Sequence, residues 1–349
     1  MHKRIKIFPL LLIPLTLILS CRKHYDPFHG KPKWIREYFE KLQSGNYPDI
    51  YAISWWNEDF DRTYLTINSS KRSLKSYREG VSDERYISES YFLNHKLQPV
   101  AGKVYHGAFP GFGGTEDEVS QNSIENFEVL SQKRIAWSYF SNNWYDSLIF
   151  PKNSVDIIGQ YGCTPFIRIM FRSDFETVPD PYLKLQNIID GMYDLQLKEW
   201  ANCARDCGYD LLAEFGTEVN GNWFSWNGQF NGGGTTNGYG DPTYPDGPER
   251  FRDAYRHIID ICNQCNAVNI TWFFHFDVSG EPEEDWNDAV YYYPGDSYID
   301  WIGVSTYGPQ QRGDDYISPN ELLQNAYLKM QQISVSKPYA ILEFGITEL

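Results

Sequence analysis

From Lys103 onward, short apolar runs alternate with amphipathic stretches, and this pattern predicts strand and helix in turn along the rest of the chain. The predicted strands are 104–109, 135–140, 165–171, 210–216, 270–274, 301–306 and 339–344. Between them the helical stretches are 123–132, 154–160, 192–207, 248–265, 286–291 and 318–333. The last opens on a capping box, Ser318 with Glu321 three residues on, and has Pro319 at the first helical position. Before this series lie an amphipathic helix at 33–42, a buried strand at 49–56 (DIYAISWW) and a short helix at about 71–79, stopped by Gly80.

Alternation of this kind predicts an α/β fold, a mostly parallel sheet covered by helices. Seven strands are one short of a closed barrel. Only Gly345, Ile346, Thr347, Glu348 and Leu349 follow the last strand, so the missing one has to come from the front: 49–56 is expected to close a (β/α)8 TIM barrel as its eighth strand. A truncated chain or an open sheet are the alternatives.

Composition narrows the ligand. With 349 residues, 42% of them hydrophobic and 17% aromatic, the chain can bury a barrel-sized core. A formal charge of -15 argues against nucleic acid or an anionic membrane surface as partner. Abundant Tyr, Phe and Trp beside loops rich in Asn and Gly suit a neutral polyhydroxylated ligand, since aromatic faces stack on sugar CH groups and amides bond hydroxyls. The glycines at 232–234, 238 and 240 precede no Gly-Lys-Ser/Thr and read as a cleft-side loop rather than a phosphate cradle.

The N-terminus carries His2, Lys3, Arg4 and Lys6, the apolar run 7–19 and then Ser20 and Cys21, the layout of an export signal. Ile18-Leu19-Ser20-Cys21 resembles a bacterial lipoprotein cleavage box, so residues 1–21 are expected to be a signal peptide with Cys21 lipidated, an ordinary cleaved signal with Cys21 incidental being the alternative, and 22–349 a single catalytic domain. Export and a membrane-anchored location, periplasmic or at the cell surface, follow from that expectation. Of the other cysteines, Cys203, Cys207, Cys262 and Cys265 lie on two predicted helices; a zinc site or a disulfide between them is the alternative to buried free thiols, with Cys163 left over.

The candidate chemistry centres on 209–228, YDLLAEFGTEVNGNWFSWNG, where an apolar strand runs into a loop holding Glu218, Asn220, Trp223 and Trp226. A second carboxylate, Glu343 in ILEFG, ends another apolar run. Two carboxylates at the ends of separate strands are the minimum for glycoside hydrolysis, and the chemistry needs neither cofactor nor metal. His106 and His275 are candidates to bond sugar hydroxyls and Arg172 a candidate contact. Trp55 and Trp56 are adjacent in a strand, so only one of them can line a cleft.

The stretches GTEVNGNWFSW (216–226), WIGVSTYG (301–308), ILEFG (341–345) and FSNNW (140–144) resemble glycoside hydrolase family 26, barrel enzymes of the β-mannanase type. The N-terminal KWIREYFEKLQSGNYPDIYAISWWNEDF resembles that family's closing helix and eighth strand, which implies a circular permutation. The resemblance implies a retaining endo-glycoside hydrolase of a β-linked polysaccharide, β-mannan first, with xylan, mixed-linkage glucan or a non-catalytic glycan-binding lipoprotein as alternatives. It makes Glu218 the acid/base after barrel strand four, Glu343 the nucleophile on strand seven, Tyr307 the nucleophile's hydrogen-bond donor, and Trp55 or Trp56 the aromatic floor. Trp144, Trp223, Trp226 and Asn220 fall among its substrate contacts. The family usually has Arg and His four and one residues before the acid/base, where this chain has Glu214 and Thr217. Glu214 is expected to point into the barrel below Glu218 and to need a basic partner, Arg168 being the first candidate.

Overall fold

The computed structural model describes residues 30–60, 62–311 and 313–348; the expected signal and Cys21 lie outside them. Eight parallel strands, numbered in chain order, form the barrel: β1 (Ile50–Trp56), β2 (Val104–Phe109), β3 (Trp137–Asn143), β4 (Thr164–Met170), β5 (Leu211–Phe215), β6 (Ile270–Asp277), β7 (Trp301–Tyr307) and β8 (Tyr339–Gly345). Each pairs with the next, and β1 pairs on both sides, with β8 through Ile50, Ala52, Ile53 and Trp55 and with β2 through residues 52–56. The sheet is therefore closed, not open, and its eighth strand is the first in sequence. Tyr86–Ile87 adds a short edge to β2.

The covering helices are α1 (Gly30–Gln43), α2 (Lys71–Val81), α3 (Gln121–Ser131), α4 (Lys152–Tyr161), α5 (Asp194–Asp206), α6 (Asp246–Gln264) and α7 (Pro319–Ile333). Helix α1 packs against both α2 and α7, the place of a helix that follows β8, so the front of the chain completes the outer layer as well as the barrel. Helix α7 starts on the expected cap, Ser318 Oγ accepting the Glu321 amide at 3.2 Å. The helix expected at 286–291 is instead two 3-10 turns, Asp285–Asn287 and Ala289–Tyr292. Asp288 interrupts the segment: its carboxylate accepts the Val290 amide and caps the second turn, splitting the stretch in two.

The lumen is filled in layers. Tyr105, Trp137, Phe166, Phe273 and Trp301, one from each of five strands, form a closed ring of aromatic contacts with centroids 4.8 to 6.3 Å apart. Gly107 is required beside it, because a Cβ there would lie 2.1 Å from the Trp137 indole nitrogen. Above this plug strands β3 to β8 change character: Tyr139, Arg168, Glu214, His275, Ser305 and Glu343, one from each, are all buried and polar or charged. Strand β6 runs to Asp277, past the expected end at 274, since His275 and Asp277 keep its inward alternation while breaking its apolar pattern. All five cysteines from Cys163 to Cys265 are free thiols.

Candidate active site

Strand β5 delivers Glu214 to the lumen and then turns sharply. Gly216 (φ 65°) and Glu218 (φ 48°) both adopt left-handed backbone, which is costly for a glutamate and is sustained here by its surroundings. Val219 N–H donates to the His275 carbonyl at 3.2 Å. Asn220 clamps the next strand's exit with both ends of its amide, Oδ1 accepting the Asp277 amide at 2.8 Å and Nδ2 donating to the Asp277 carbonyl at 2.9 Å. The turn thus carries Glu218 to the mouth of the barrel as part of a rigid double loop.

Across that mouth lies Glu343 on β8. Carboxylate oxygens of Glu218 and Glu343 and a ring nitrogen of His275 all lie within 4.8 Å of one another. Trp223 donates its indole N–H to Glu218 Oε2 at 2.7 Å while its ring stays 40% exposed. Tyr307 donates to Glu343 Oε2 at 2.8 Å, the contact implied by the resemblance. Glu343 Oε1 has no hydrogen bond and faces the Arg168 guanidinium at 3.4 Å.

Arg168 does meet Glu214, but at 3.7 Å and as one of three carboxylates. It bonds Glu116 at 2.8 Å and lies over the rings of Trp56 (4.9 Å) and Tyr139 (5.1 Å). Glu214 has closer partners in the Tyr139 hydroxyl and in His275 Nδ1, the latter at 3.0 Å. His275 Nε2 lies 2.8 Å from the Ser305 hydroxyl. Five buried or nearly buried carboxylates, those of Glu116, Glu214, Glu218, Asp277 and Glu343, therefore face two guanidiniums, Arg168 and Arg172, and one imidazole. They cannot all be ionised in a desolvated space.

Burial and then the charge of Asp277 hold Glu218 above the usual carboxylate range, against His275, Ser305 and Trp223. The leading charge in that rise is Asp277, tied beside Glu218 by the Asn220 clamp. Burial pushes Glu343 up to about 7 and Glu218 adds to the rise, while Arg168, His275 and Tyr307 pull it down. Since the guanidinium faces Glu343, the shared proton belongs on Glu218. Burial also penalises the Glu214 charge, but His275, Arg168 and Tyr139 outweigh it and leave that carboxyl below its ordinary value. Glu218, His275 and Glu343 are the one group of metal-type side chains gathered this closely among the described residues. They do not fit an ion: both His275 nitrogens are already bonded and Arg168 occupies the charge of Glu343.

Several sequence candidates stand elsewhere. His106 faces outward, between Tyr77 Oη (2.9 Å) and the Arg134 carbonyl (2.9 Å), because it has the opposite strand parity from Tyr105 and Gly107. Trp55 also points outward, packed on Tyr77 and Phe344 with its N–H on the Leu65 carbonyl, while Trp56 faces Arg168 and stacks on Phe109. Trp144 is buried against Phe171 and Tyr193. Trp226 is core of its loop, stacked on Phe224 and bonded to the Thr217 carbonyl. Asn220 is spent on the clamp. Arg172 reaches the rim, bonded to Asn143 at 2.7 Å and lying over Phe175 at 4.3 Å. Missed from sequence were Tyr139, Ser305 and Asp277, each two residues from a position with the same inward parity, and Glu116, which sits in a loop without periodicity.

The family model for glycosyl hydrolase family 26 matches residues 180–335. Endoglucanase H of Acetivibrio thermocellus is 23% identical over 234 residues, which cover 66% of this chain. Residues 180–335 are thus similar to glycosyl hydrolase family 26. The chain spans 23% of the length of that curated relative. Among solved structures, this chain is similar to a ruminal family 26 endo-β-1,4-mannanase (14% identity, TM-score 0.47, covering 81% of this chain and 60% of that one). It is also similar to a Bacillus subtilis mannanase (12%, TM-score 0.42, 90% and 84%). A third is the family 26 domain of an endo-β-mannanase/endo-β-glucanase from Prevotella bryantii (15%, TM-score 0.43, 65% and 80%).

Proposed function

We propose that this chain is a retaining endo-glycoside hydrolase of a β-linked polysaccharide, with Glu343 as nucleophile and Glu218 as acid/base. The observation that carries this reading is the approach of the two carboxylates to within 4.8 Å, close to the ~5–5.5 Å typical of retaining enzymes and short of the ~6.5–9.5 Å that leaves room for a water in inverting ones. Glu343 attacks the anomeric carbon as Glu218 protonates the departing glycosidic oxygen, giving a glycosyl ester and a free sugar end. Water then attacks the same carbon, Glu218 takes its proton, and Glu343 is released. Trp223 holds Glu218 and offers its exposed ring to a sugar face; Trp56 lines the floor beside Arg168.

β-Mannan is the first substrate we propose, from the family match. β-Glucan is the second, because the curated relative is named an endoglucanase and Thr217 departs from the usual family histidine. Reducing-end release from mannan, mixed-linkage glucan and xylan, by the wild type and by Glu343→Ala, tests both. Release from one polymer that the variant abolishes while keeping its binding supports the hydrolase. Binding without release by the wild type overturns it in favour of a glycan-binding protein. We also propose export with lipidation at Cys21; Cys21→Ser should release the protein from membranes, and unchanged membrane association overturns that part.

A further inference from the structure

The mouth of the barrel carries a second ring as open to solvent as Trp223. Phe175, in the loop that follows β4, is 40% exposed, and the Arg172 guanidinium lies over one of its faces at 4.3 Å. A file of alternating charges leads from the nucleophile to that ring. Glu343 faces Arg168 at 3.4 Å, Arg168 bonds Glu116 at 2.8 Å, and Glu116 lies 3.7 Å from Arg172. The ring therefore stands at the rim on the β4 side of the cleft, across the barrel from β8. A single exposed aromatic residue is ordinary on a protein surface; what sets Phe175 apart is how it is held.

Asp174 Oδ1 accepts the amides of Glu176 (2.9 Å) and Thr177 (2.6 Å), closing an Asx turn around Phe175. Asp180, only 1% exposed, gathers the rest of the loop: its carboxylate accepts the amides of Ser173, Tyr182 and Leu183, and its own amide donates to Ser225 Oγ at 2.7 Å. Ser225 belongs to the loop that carries Trp223, so the two exposed rings are tied to one another. Arg172 is fixed in turn, Nε donating to Asn143 Oδ1 at 2.7 Å while Asn143 Nδ2 donates to Asp117 at 2.9 Å. Its charge is answered by Glu116 and, through Asn143, by Asp117, and its Nη2 is sealed from solvent without a hydrogen bond. The guanidinium thus backs the ring rather than offering a free cation to a ligand. Tyr182, in the same loop and 75% exposed, has no ring or cation contact among the described residues and is held through its backbone.

We propose that Phe175 is the stacking platform of a further subsite, which takes a neutral sugar unit of the same polysaccharide chain whose bond lies between Glu218 and Glu343. The subsite rests on the hydrolase reading for the chain it serves, though the binding it predicts stands without turnover. A ring immobilised before the ligand arrives loses little freedom when a sugar settles on its open face, so the contact is turned into affinity rather than spent on ordering the loop. The neutral class follows from the charges around the ring. Asp174 and Glu176 border it in sequence, Glu116 and Asp117 stand with Arg172 behind it, and the one cation beside it is already engaged. A uronate placed there would meet like charges and no counter-ion.

The experiment is calorimetric binding of mannohexaose, cellohexaose and xylohexaose to the full chain carrying Glu343→Ala. For the hexasaccharide that binds, adding Phe175→Ala should raise Kd about tenfold, the scale of one lost aromatic contact. Adding Phe175→Trp instead should keep the parent's affinity, and adding Tyr182→Ala should leave it unmoved. A form of the same hexasaccharide bearing one uronate should bind about fivefold more weakly at low salt, the effect of one like charge at close range in water. Asp174→Asn, which keeps the Oδ1 acceptor of the turn, should narrow that gap. Equal binding by the parent and by folded Phe175→Ala overturns the subsite and leaves the hydrolase reading intact; equal or tighter binding of the uronate form overturns the neutral class. Wild-type binding without reducing-end release overturns the hydrolase reading alone, provided Phe175→Ala still weakens that binding, and binding of none of the three sugars overturns both.

Discussion

His106 on β2 and His275 on β6 stand on opposite sides of the same barrel, are equally hidden from solvent, and have opposite electrostatic fates. His106 lies in the layer between barrel and helices, where burial, with nearby Lys133 adding, drives its pKa down to about 4 and leaves a neutral ring between a tyrosine and a carbonyl. His275 lies inside the mouth, where burial also favours the neutral ring but Glu214, Glu343 and Glu218 outweigh it and raise the pKa. Burial alone therefore predicts neither the charge of a histidine nor its use. Strand parity decides, by choosing which neighbours a side chain meets. Trp55 and Trp56 repeat the lesson one residue apart, the first sealing the outer layer and the second lying beside Arg168.

The contrast can be tested from its strongest consequence downward. Replacing Glu343 by Ala should cut kcat by about 10⁴-fold to 10⁶-fold, on the scale seen for single members of catalytic groups that act together. Its thermal midpoint should not fall, because the residue removed is a buried carboxylate whose charge the fold disfavours. Arg168→Met should cost about 3–5 kcal/mol in chemical denaturation, since Glu116, Glu214 and Glu343 would lose a shared counter-charge. His106→Gln should cost about 1–3 kcal/mol by leaving buried partners unpaired, with the pH profile of activity unmoved. Trp223→Phe keeps a ring for the sugar and deletes one N–H, so about a tenfold loss in kcat is expected.

The two histidines also have opposite signs in their pH linkage. The raised pKa of His275 contributes stability that is present below the ordinary value of about 6.5 and is lost as pH rises through the folded value. The lowered pKa of His106 does the reverse: the unfolded chain takes up a proton first, so stability falls as pH drops from about 6.5 toward about 4. The proposed mechanism needs Glu343 ionised and Glu218 protonated, and on that reading turnover should decline as pH falls below about 7. Denaturation midpoints and initial rates across that range, for the wild type and His106→Gln, separate the two effects.

Much of this architecture was legible because the barrel writes itself into the chain as alternating runs. The strand-like run DIYAISWW, standing before seven further strand-like runs, made closure by the front segment legible. Glu218, Glu343 and Tyr307 were legible from flanking motifs. The parity of His106 and Trp55 was not, since a strand buried on both faces shows no polar alternation to betray which side is inward. Asp277 was obscured by the opposite problem: inward polar residues in β6 looked like the end of a strand. Glu116 reaches Arg168 from an irregular loop, which no periodicity can place.

The central claim is that Glu343 forms a bond to the sugar while Glu218 moves the proton. Mass spectrometry of the full chain after exposure to an activated 2-deoxy-2-fluoro β-glycoside tests it directly. The account predicts a covalent adduct that maps to the peptide containing Glu343, and no adduct in Glu343→Ala. A label on another residue, or continued turnover with inverted anomeric configuration and no adduct at all, would contradict it.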